Sequence, residues 1–262
     1  MPSGIEILPL PGIPLVSDGD DLATLIVDAL DRQGLRLVPG DVLVIAQKVV
    51  SKAEGRRVRL ADVTPGEEAR ALAEETAKDP RLVQLILDES SAVVRKRPSP
   101  APGIPGVIIV EHRCGWVHAN AGIDQSNVAE GEPGEHALLL PLDTDASAAT
   151  LRAAIGERTG CAPGVVINDS AGRAWRVGTC GIALGSAGVA AMQDLRGEPD
   201  LFGRTLEVSV VGHGDELAAA AGLVQGQADE RTPVVLIRGL PAVETDAIAA
   251  DLIRDAREDL FR

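Results

Sequence analysis

Hydrophobic positions along the chain recur with two periods, and the longer period predicts helices. After Asp20-Asp21, apolar residues recur every three or four positions until a break at Gly34, which predicts a first helix. The same period predicts helices at 64–78, 80–89, 147–155, 215–224 and 244–261. Gly156 is the expected end of the helix at 147–155, and a glycine-rich turn at 178–193 is predicted to lead into another helix.

The shorter pattern consists of brief apolar runs, which predict strands at 5–10, 41–46, 107–110, 116–120, 165–168, 205–211 and 234–238. Strands and helices are interspersed without a strict β-α-β alternation, so the predicted fold class is α/β of the mixed α+β kind. The Pro-rich stretch 97–102 is predicted to be a stiff connector. We expect one domain over 1–262 with two structural lobes and an exchange between them near 95–106.

Composition and charge narrow the function classes. The 262 residues include 25 Lys and Arg against 39 Asp and Glu, a net charge of −14, which argues against a nucleic-acid partner. Aromatic residues make up only 2%, which disfavours base stacking and a flavin pocket. No apolar run is long enough to span a membrane, and the first residues lack the features of a signal peptide, so we expect a cytoplasmic protein. The three cysteines lack the spacing of a zinc site or disulfide framework.

Rare residue types cluster near two aspartates. All three asparagines of the chain, Asn120, Asn127 and Asn168, lie within a few positions of Asp124 or Asp169. A chain that otherwise avoids Asn is expected to keep it where geometry demands it, although chance clustering is an alternative.

The two aspartates are candidate metal ligands. Asp124 lies in a glycine-containing loop after a predicted strand, and Asp169 and Ser170 follow the buried strand at 165–168. Carboxylate and hydroxyl oxygens suit Mg²⁺ and Mn²⁺, and strand ends are where α/β folds place ligands. For Asp124 taken alone, an Asx-turn that only satisfies the loop backbone is slightly favoured.

Two arginines follow the second aspartate. Arg173 and Arg176, three positions apart, could meet an anionic substrate from one side. The alternative is a tight turn in which Arg173 forms a salt bridge with Asp169.

Other polar segments could contact phosphate. Lys48 and Lys52 follow a buried strand, although two surface lysines are equally ordinary, and Gln227 could supply a neutral oxygen ligand or belong to a plain loop. Neither a Walker A sequence nor a GxGxxG motif occurs, and the four histidines form no ligand pair or triad, so a histidine-based mechanism is not expected. Because a net charge of −14 repels nucleoside triphosphates, metal ions held by the two Asp-bearing loops would have to neutralise phosphate locally.

Five segments, in this order along the chain, together resemble the coenzyme F420:gamma-glutamyl ligases. They are PGIP at 11–14, KVVSKAEG at 48–55, NAGIDQSNV at 120–128, DSAGRAWR at 169–176, and GQ at 226–227 followed by PVVLIRG at 233–239. The resemblance extends from about residue 5 to about residue 239, and its specificity lies in the ordered set.

The resemblance implies GTP-dependent addition of L-glutamate to coenzyme F420-0, and then of further γ-linked glutamates, in coenzyme F420 biosynthesis. It also implies two divalent ions (Mg²⁺ or Mn²⁺), stimulation by K⁺, a two-lobed fold peculiar to the family and an intertwined homodimer. Some relatives carry a C-terminal reductase-like domain, which we do not expect here because the chain ends at Arg262.

Carried over by position, the resemblance implies that Asp124 and Asp169 hold one metal ion and that Ser170 and Gln227 lie near a second. Relatives often have Thr at 170, which keeps the hydroxyl, and some have Glu at 227, whose negative charge Gln227 lacks. The residues expected to surround GTP are Pro11, Gly12, Ile13, Pro14, Gln47, Lys48, Lys52, Asn127, Gln225, Gly226, Gln227, Ala228, Asp229, Glu230, Arg231 and Thr232.

We expect an acyl-phosphate mechanism, because a carboxylate is too weak an electrophile to form an amide directly. The acceptor carboxylate would attack the γ-phosphorus of GTP while metal ions neutralise charge, with Arg173 and Arg176 anchoring the acceptor. Two other functions stay open: a nucleotide-binding or regulatory module without catalysis, and an ATP-dependent amino-acid ligase that acts on another carboxylate.

Overall fold

The computed structural model describes residues 4–128, 134–241 and 247–260. The strands in these ranges are β1 (Glu6–Pro9), β2 (Val42–Ala46), β3 (Arg57–Arg59), β4 (Ser90–Arg97), β5 (Val107–His112), β6 (Val117–Ala119), β7 (His136–Leu138), β8 (Gly164–Arg173), β9 (Arg176–Ala187), β10 (Gln193–Asp194), β11 (Val210–Val211) and β12 (Val234–Arg238). The α-helices are α1 (Leu22–Arg32), α2 (Gln47–Ala53), α3 (Glu67–Thr76), α4 (Pro80–Asp88), α5 (Thr144–Thr159) and α6 (His213–Gln225). The mixed α/β prediction is therefore confirmed.

A five-stranded sheet in the order β1-β12-β2-β8-β9 forms the centre of the fold. The β2–β8 pair is parallel, and the other three pairs are antiparallel. Both faces of this sheet are covered: Leu43 and Ile45 pack with α1 and α5, whereas Val42 and Val44 pack with α6. Burial on both faces explains why β2 and β12 appear in the sequence as continuous apolar runs.

A second hydrophobic cluster lies outside this sheet. It joins buried residues of α3 and α4 to Ile108 and Val110 of β5 and to Leu139 after β7. The three-stranded sheet β4-β5-β6 and the two-stranded pair β3-β7 belong to this part of the chain. The two-lobed arrangement with an exchange near 95–106 stays a prediction. Within that stretch, Ser99 and Gly106 donate backbone hydrogen bonds to the end of α3.

The predicted helix at 178–193 is wrong, because this stretch contributes the long strand β9. Its glycines allow close packing rather than starting a helix. A Cβ at Gly181 would lie 2.3 Å from the Ala218 carbonyl oxygen of α6, and a Cβ at Gly185 would lie 2.2 Å from the Thr144 carbonyl oxygen of α5. Helices therefore approach both faces of β9 more closely than any side chain would permit.

The closing helix predicted at 244–261 is also wrong for its described part. Between 247 and 260 the one helical element is a 3₁₀ turn, Ala249–Leu252. The Asp145 carboxylate accepts the backbone N–H groups of Ala249 and Ala250 and fixes this turn against α5. Residues 244–246 and 261 lie outside the described residues.

Three element boundaries also differ from the prediction. Gly156 lies inside α5, whose last residue is Thr159 and whose C-cap, Gly160, has a φ of 73°. A Cβ at Gly156 would lie 2.9 Å from the Ala162 Cβ, so packing explains this glycine. Of the strand predicted at 205–211, only Val210–Val211 forms a strand, paired with β10, while Thr205 makes an isolated bridge to Pro199. Strand β4 reaches Arg97, at the start of the predicted connector. Among the described residues, no helix combines the length and apolarity needed to cross a membrane.

A buried ion cluster around Glu89 joins α4 to the neighbouring chain segments. Glu89 is 6% exposed, and its Oε2 lies 2.9 Å from Nη2 of both Arg56 and Arg113. Burial acts to raise the pKa of Glu89, but His112, Arg56 and Arg113 together hold this pKa below its ordinary value. Arg56 also donates to the Leu140 carbonyl, so the cluster ties three segments together.

We predict that Glu89→Gln lowers the free energy of unfolding by about 3 kcal/mol at neutral pH, because it leaves two arginines without their buried counter-charge. The pKa of Glu89 is lowered on folding, so this stabilisation is present above its unfolded pKa and is lost as the pH falls through its folded pKa. Urea unfolding at several pH values measures it.

The control is Glu75→Gln, which removes an exposed ion pair with Lys96 and should cost less than about 1 kcal/mol. Equal losses for the two variants would contradict the structural role of the Glu89 cluster.

Candidate active site

Three strands of the central sheet meet at one end, and the loops that leave this end carry most of the sequence-predicted site. The backbone N–H of Leu10, after β1, donates to the Val234 carbonyl of β12. The N–H of Ala46, the last residue of β2, donates to the Pro233 carbonyl. These bonds bring residues 11–14, the start of α2 and the loop before β12 to a common edge, where parallel strand ends commonly bind ligands.

Asp124 reaches this edge from the second cluster. It follows the 3₁₀ turn Asn120–Gly122, and its backbone exchanges hydrogen bonds of 3.0 and 2.8 Å with Leu138 of β7. Its Oδ2 accepts a hydrogen bond of 2.7 Å from Gln47 Nε2, and its Oδ1 lies 3.4 Å from Lys48 Nζ. The backbone of Asp124 thus pairs with β7. Its carboxylate contacts side chains of α2, whereas in an Asx-turn it would accept a backbone N–H of its own loop.

Asp169 lies on β8, near enough to Asp124 for the two charges to interact. Burial raises the pKa of Asp169 to about 6, the charge of Asp124 adds to this rise, and His118 and Lys48 oppose it. Burial likewise raises the pKa of Asp124, against the effects of Lys48, Gln47 and His118. The fold thus holds two carboxylates that interact electrostatically in a poorly hydrated place.

His118 was missed by sequence reasoning. Its Nε2 lies 3.8 Å from Asp169 Oδ2, and its Nδ1 lies 3.0 Å from the Ala119 carbonyl oxygen, which can only accept a hydrogen bond. Nδ1 therefore carries a proton, and the buried Nε2, which has no hydrogen-bond partner, faces the carboxylate. Nothing in the spacing of the histidines indicates this contact, because it depends on β6 packing against β8.

These side chains fit a divalent cation in part. Two carboxylates with raised pKa values gain most from a nearby positive charge, and the Asn120 Oδ1 is a further buried oxygen without a hydrogen-bond partner. No three His, Cys, Asp or Glu side chains in the described ranges group into a metal centre. A cation here would need water or substrate oxygens to complete its shell, as Mg²⁺ commonly does.

Two lysines of α2 connect the Asp124 loop to a neighbouring loop. Lys52 Nζ donates to the Asn127 carbonyl at 2.6 Å, and Lys48 Nζ donates to Ser126 Oγ at 3.3 Å. Asn127 Nδ2 in turn donates to the Ala228 carbonyl at 3.1 Å. Burial lowers the pKa of Lys52, and the positive charges of Lys48 and Arg57 add to this effect, so an anion bound here would relieve cationic repulsion.

The loop 225–232 is held by hydrogen bonds to β8 and to α6 and by hydrogen bonds within the loop itself. Gln225 exchanges amide hydrogen bonds of 2.8 and 3.1 Å with Asn168 of β8, which fixes the end of α6 against the sheet. The Glu230 carboxylate accepts the Ala228 N–H, and Gly226 has a φ of 73°. Gln227, Asp229 and Arg231 are exposed. Thr232 Oγ1 donates to the Val224 and Gln225 carbonyls.

The remaining predicted residues lie in three places. Alternation along β8 places Ser170 on the face of Asn168, opposite Asp169. Residues 11–14 are held by the Arg32 guanidinium, which donates to the Gly12 carbonyl. Arg173 and Arg176 pair at the exposed tip of the β8–β9 hairpin, and Arg173 lies four residues, or about 13 Å, beyond Asp169 along the strand. The structure does not bring these two arginines to the carboxylates.

A cleft of about 220 Å³ lies between β9 and the segment that precedes His118. Its walls include Trp116 and Val117, which precede His118, and Ile182, which is the register partner of Asp169. Asp215 and Arg254 supply charged groups to the same cleft.

We predict that Asp169→Asn stabilises the protein in the absence of divalent ions. Because the pKa of Asp169 is raised to about 6 on folding, ionising this carboxyl costs folding free energy as the pH rises from about 4 to about 6. The variant should therefore gain roughly 1–3 kcal/mol in free energy of unfolding at neutral pH. The gain should shrink towards the unfolded pKa of an aspartate.

Urea unfolding in excess chelator at several pH values measures this difference, with the exposed Asp62→Asn as the control that should change little. If Asp169→Asn is no more stable than the parent protein at neutral pH, ionised Asp169 does not lower the free energy of unfolding and the prediction is wrong.

Comparison with known proteins assigns the chain to a family. The family model described as F420-0:Gamma-glutamyl ligase matches residues 12–239. The coenzyme F420:L-glutamate ligase of Methanothermobacter thermautotrophicus is 45% identical over 261 residues, which cover 99% of each chain. The proteins of the same name from Methanopyrus kandleri and Archaeoglobus fulgidus are 44% and 42% identical and match 99% and 98% of this chain and 99% and 96% of their own. The chain therefore belongs to the F420-0:gamma-glutamyl ligase family and is an enzyme of the ligase class.

Proposed function

We propose that this ligase uses GTP to join L-glutamate to coenzyme F420-0 through an amide bond, and that it then adds further γ-linked glutamates. The observation that carries the proposal is the half-buried pair of Asp124 and Asp169, whose charges interact and of which Asp124 also faces Lys48 of α2. Relatives that match nearly the whole chain bear the name coenzyme F420:L-glutamate ligase, which supports the substrates.

The chemistry requires that the acceptor carboxylate be activated. One of its oxygens attacks the γ-phosphorus of GTP, the bond from this phosphorus to the β,γ-bridging oxygen breaks, and GDP leaves. The amine of glutamate then attacks the acyl phosphate carbon, the amide forms, inorganic phosphate leaves and the amine loses a proton. The net reaction consumes GTP, the acceptor and glutamate and yields the amide, GDP and phosphate.

The residues at the sheet edge fit the phosphoryl-transfer step. A divalent ion, Mg²⁺ or Mn²⁺, would neutralise charge on the transferring phosphoryl group. Asp124 and Asp169 would hold this ion, and Ser170 and Gln227 would lie near a second one. Lys48 and Lys52 would bind phosphate oxygens, since both already donate to the loop that contains Asn127. Stimulation by K⁺ is part of the same proposal.

The other predicted binding residues surround this centre. Residues 11–14 and the loop 225–232 leave the same edge of the sheet, so they would enclose the nucleotide. The cleft lined by Trp116, Val117 and Ile182 would take the acceptor, because Val117 directly precedes His118 and Ile182 is the register partner of Asp169. Arg173 and Arg176 stay a prediction as acceptor anchors, and they would act from outside this centre.

We also propose that the enzyme is a homodimer. Several large apolar side chains are almost fully exposed, including Trp175, Val177, Leu201, Phe202 and Val208. Monomeric proteins seldom leave so many large apolar groups in water, and a second copy of the chain would cover them.

The function is tested by incubating the protein with GTP, Mn²⁺, glutamate and coenzyme F420-0. GDP and a product heavier by one glutamate, and later by more, should form together and only when all substrates are present. Nucleotide binding without GDP release would favour a regulatory module. Equal use of ATP, or amide formation on another carboxylate, would favour a different ligase.

We predict that Asp124→Asn lowers turnover at least about 100-fold, because the neutral amide no longer holds a cation at the phosphoryl group. Steady-state GDP release at saturating Mn²⁺ measures the effect, and the exposed Asp62→Asn serves as the charge-matched control. Turnover near that of the parent protein would refute the role of Asp124.

A further inference from the structure

We propose that Gln47 is a positioning residue that orients the Asp124 carboxylate towards the bound cation, and that Ser51 supports this contact by holding the amide oxygen of Gln47. This inference rests on the proposed function, because it needs Asp124 to be a metal ligand. It assigns Gln47 a role other than the nucleotide contact that the family resemblance implies.

Both side chains are enclosed by protein. Gln47 is the first residue of α2 and is 1% exposed, and Ser51 is fully buried one helical turn later. Gln47 Nε2 lies 2.7 Å from Asp124 Oδ2, and Ser51 Oγ lies 2.9 Å from Gln47 Oε1. The polar atoms of the Gln47 amide are thus bound inside the protein, which leaves this side chain little opportunity to reach a nucleotide.

The direction of the two hydrogen bonds follows from the groups involved. An ionised carboxylate only accepts hydrogen bonds, so the amide nitrogen of Gln47 must face Asp124. The amide oxygen then faces Ser51, whose hydroxyl donates to it. If the amide turned over, its oxygen would face the Asp124 carboxylate, and two acceptors would meet in a buried place.

This arrangement divides the tasks of the two Asp124 oxygens. Oδ2 is held by Gln47, while Oδ1 faces the Lys48 ammonium at 3.4 Å on the side where the lysines gather. The backbone of Asp124 is fixed independently by Leu138. Because the main chain and one carboxylate oxygen are fixed, Oδ1 has a defined direction in which to bind a cation. Hydrogen bonds to carboxylate ligands from residues outside the metal's own shell commonly orient them in this way.

The direct test is the dissociation constant of Mn²⁺, measured by electron paramagnetic resonance on the full-length protein without nucleotide. Gln47→Met keeps the length of the side chain and removes both hydrogen bonds, and it should weaken Mn²⁺ binding about 10- to 100-fold. Ser51→Ala should weaken binding by a smaller factor. Ser51→Ala should have no further effect in the Gln47→Met background, because Ser51 acts through Gln47.

The chain offers a matched control in Gln84. Its amide nitrogen donates to Asp88 Oδ1 at 2.7 Å and its amide oxygen accepts the Gly66 N–H, which reproduces the Gln47 pattern on α4. Gln84→Met should leave the Mn²⁺ dissociation constant unchanged. Melting temperatures of all variants separate positioning from stability, because a merely structural role would lower the Tm of Gln47→Met without changing its Mn²⁺ affinity.

The variant Asp124→Asn distinguishes failure of this inference from failure of the proposed function. If Asp124→Asn weakens Mn²⁺ binding and Gln47→Met does not, the positioning role is overturned and the metal site stands. If Asp124→Asn itself leaves Mn²⁺ binding unchanged, the metal site is wrong and the positioning role falls with it. Should Gln47→Met not fold, Ser51→Ala alone decides: unchanged Mn²⁺ affinity overturns the inference.

Discussion

Repulsion between two carboxylates, Asp124 and Asp169, is the constraint around which the candidate site is built. Burial raises the pKa of both, and the charge of Asp124 adds to the rise at Asp169. Such a pair costs folding free energy, and it persists only where the packing of the surrounding structure holds both side chains in place. Here the positive charge of Lys48 offsets part of the repulsion between the carboxylates, and a divalent cation would offset the rest. The proposed phosphoryl transfer needs a cation in just such a place, so the same feature that costs stability supports the chemistry.

The approach of the two aspartates depends on how the two hydrophobic clusters meet. Asp169 belongs to β8 of the central sheet, whereas Asp124 is fixed to β7, and α2 lies between them because it starts directly after β2. Gln47 and Lys48, at the start of α2, contact the Asp124 carboxylate. A short helix therefore joins the sheet to the second cluster, and its lysines also hold the Asn127 loop.

The sequence predicts the central strands well, because burial on both faces makes β2 and β12 continuous apolar runs. It fails where glycine has a packing role: β9 resembles the start of a helix, although Gly181 and Gly185 only allow α6 and α5 to approach. For the site, strand ends and rare asparagines indicate Asp124 and Asp169, and their roles stay predictions. The contact of His118 with Asp169 and the Ser51–Gln47–Asp124 chain leave no sequence pattern, since each depends on tertiary packing.

The central claim is that one divalent cation is bound jointly by Asp124 and Asp169. Anomalous X-ray scattering from crystals that contain Mn²⁺ and GDP tests it most directly. We expect a manganese peak bonded to one oxygen of each carboxylate, with Oδ1 as the Asp124 ligand. A manganese peak that contacts only one of the two aspartates, or that lies elsewhere on the protein, would contradict the account.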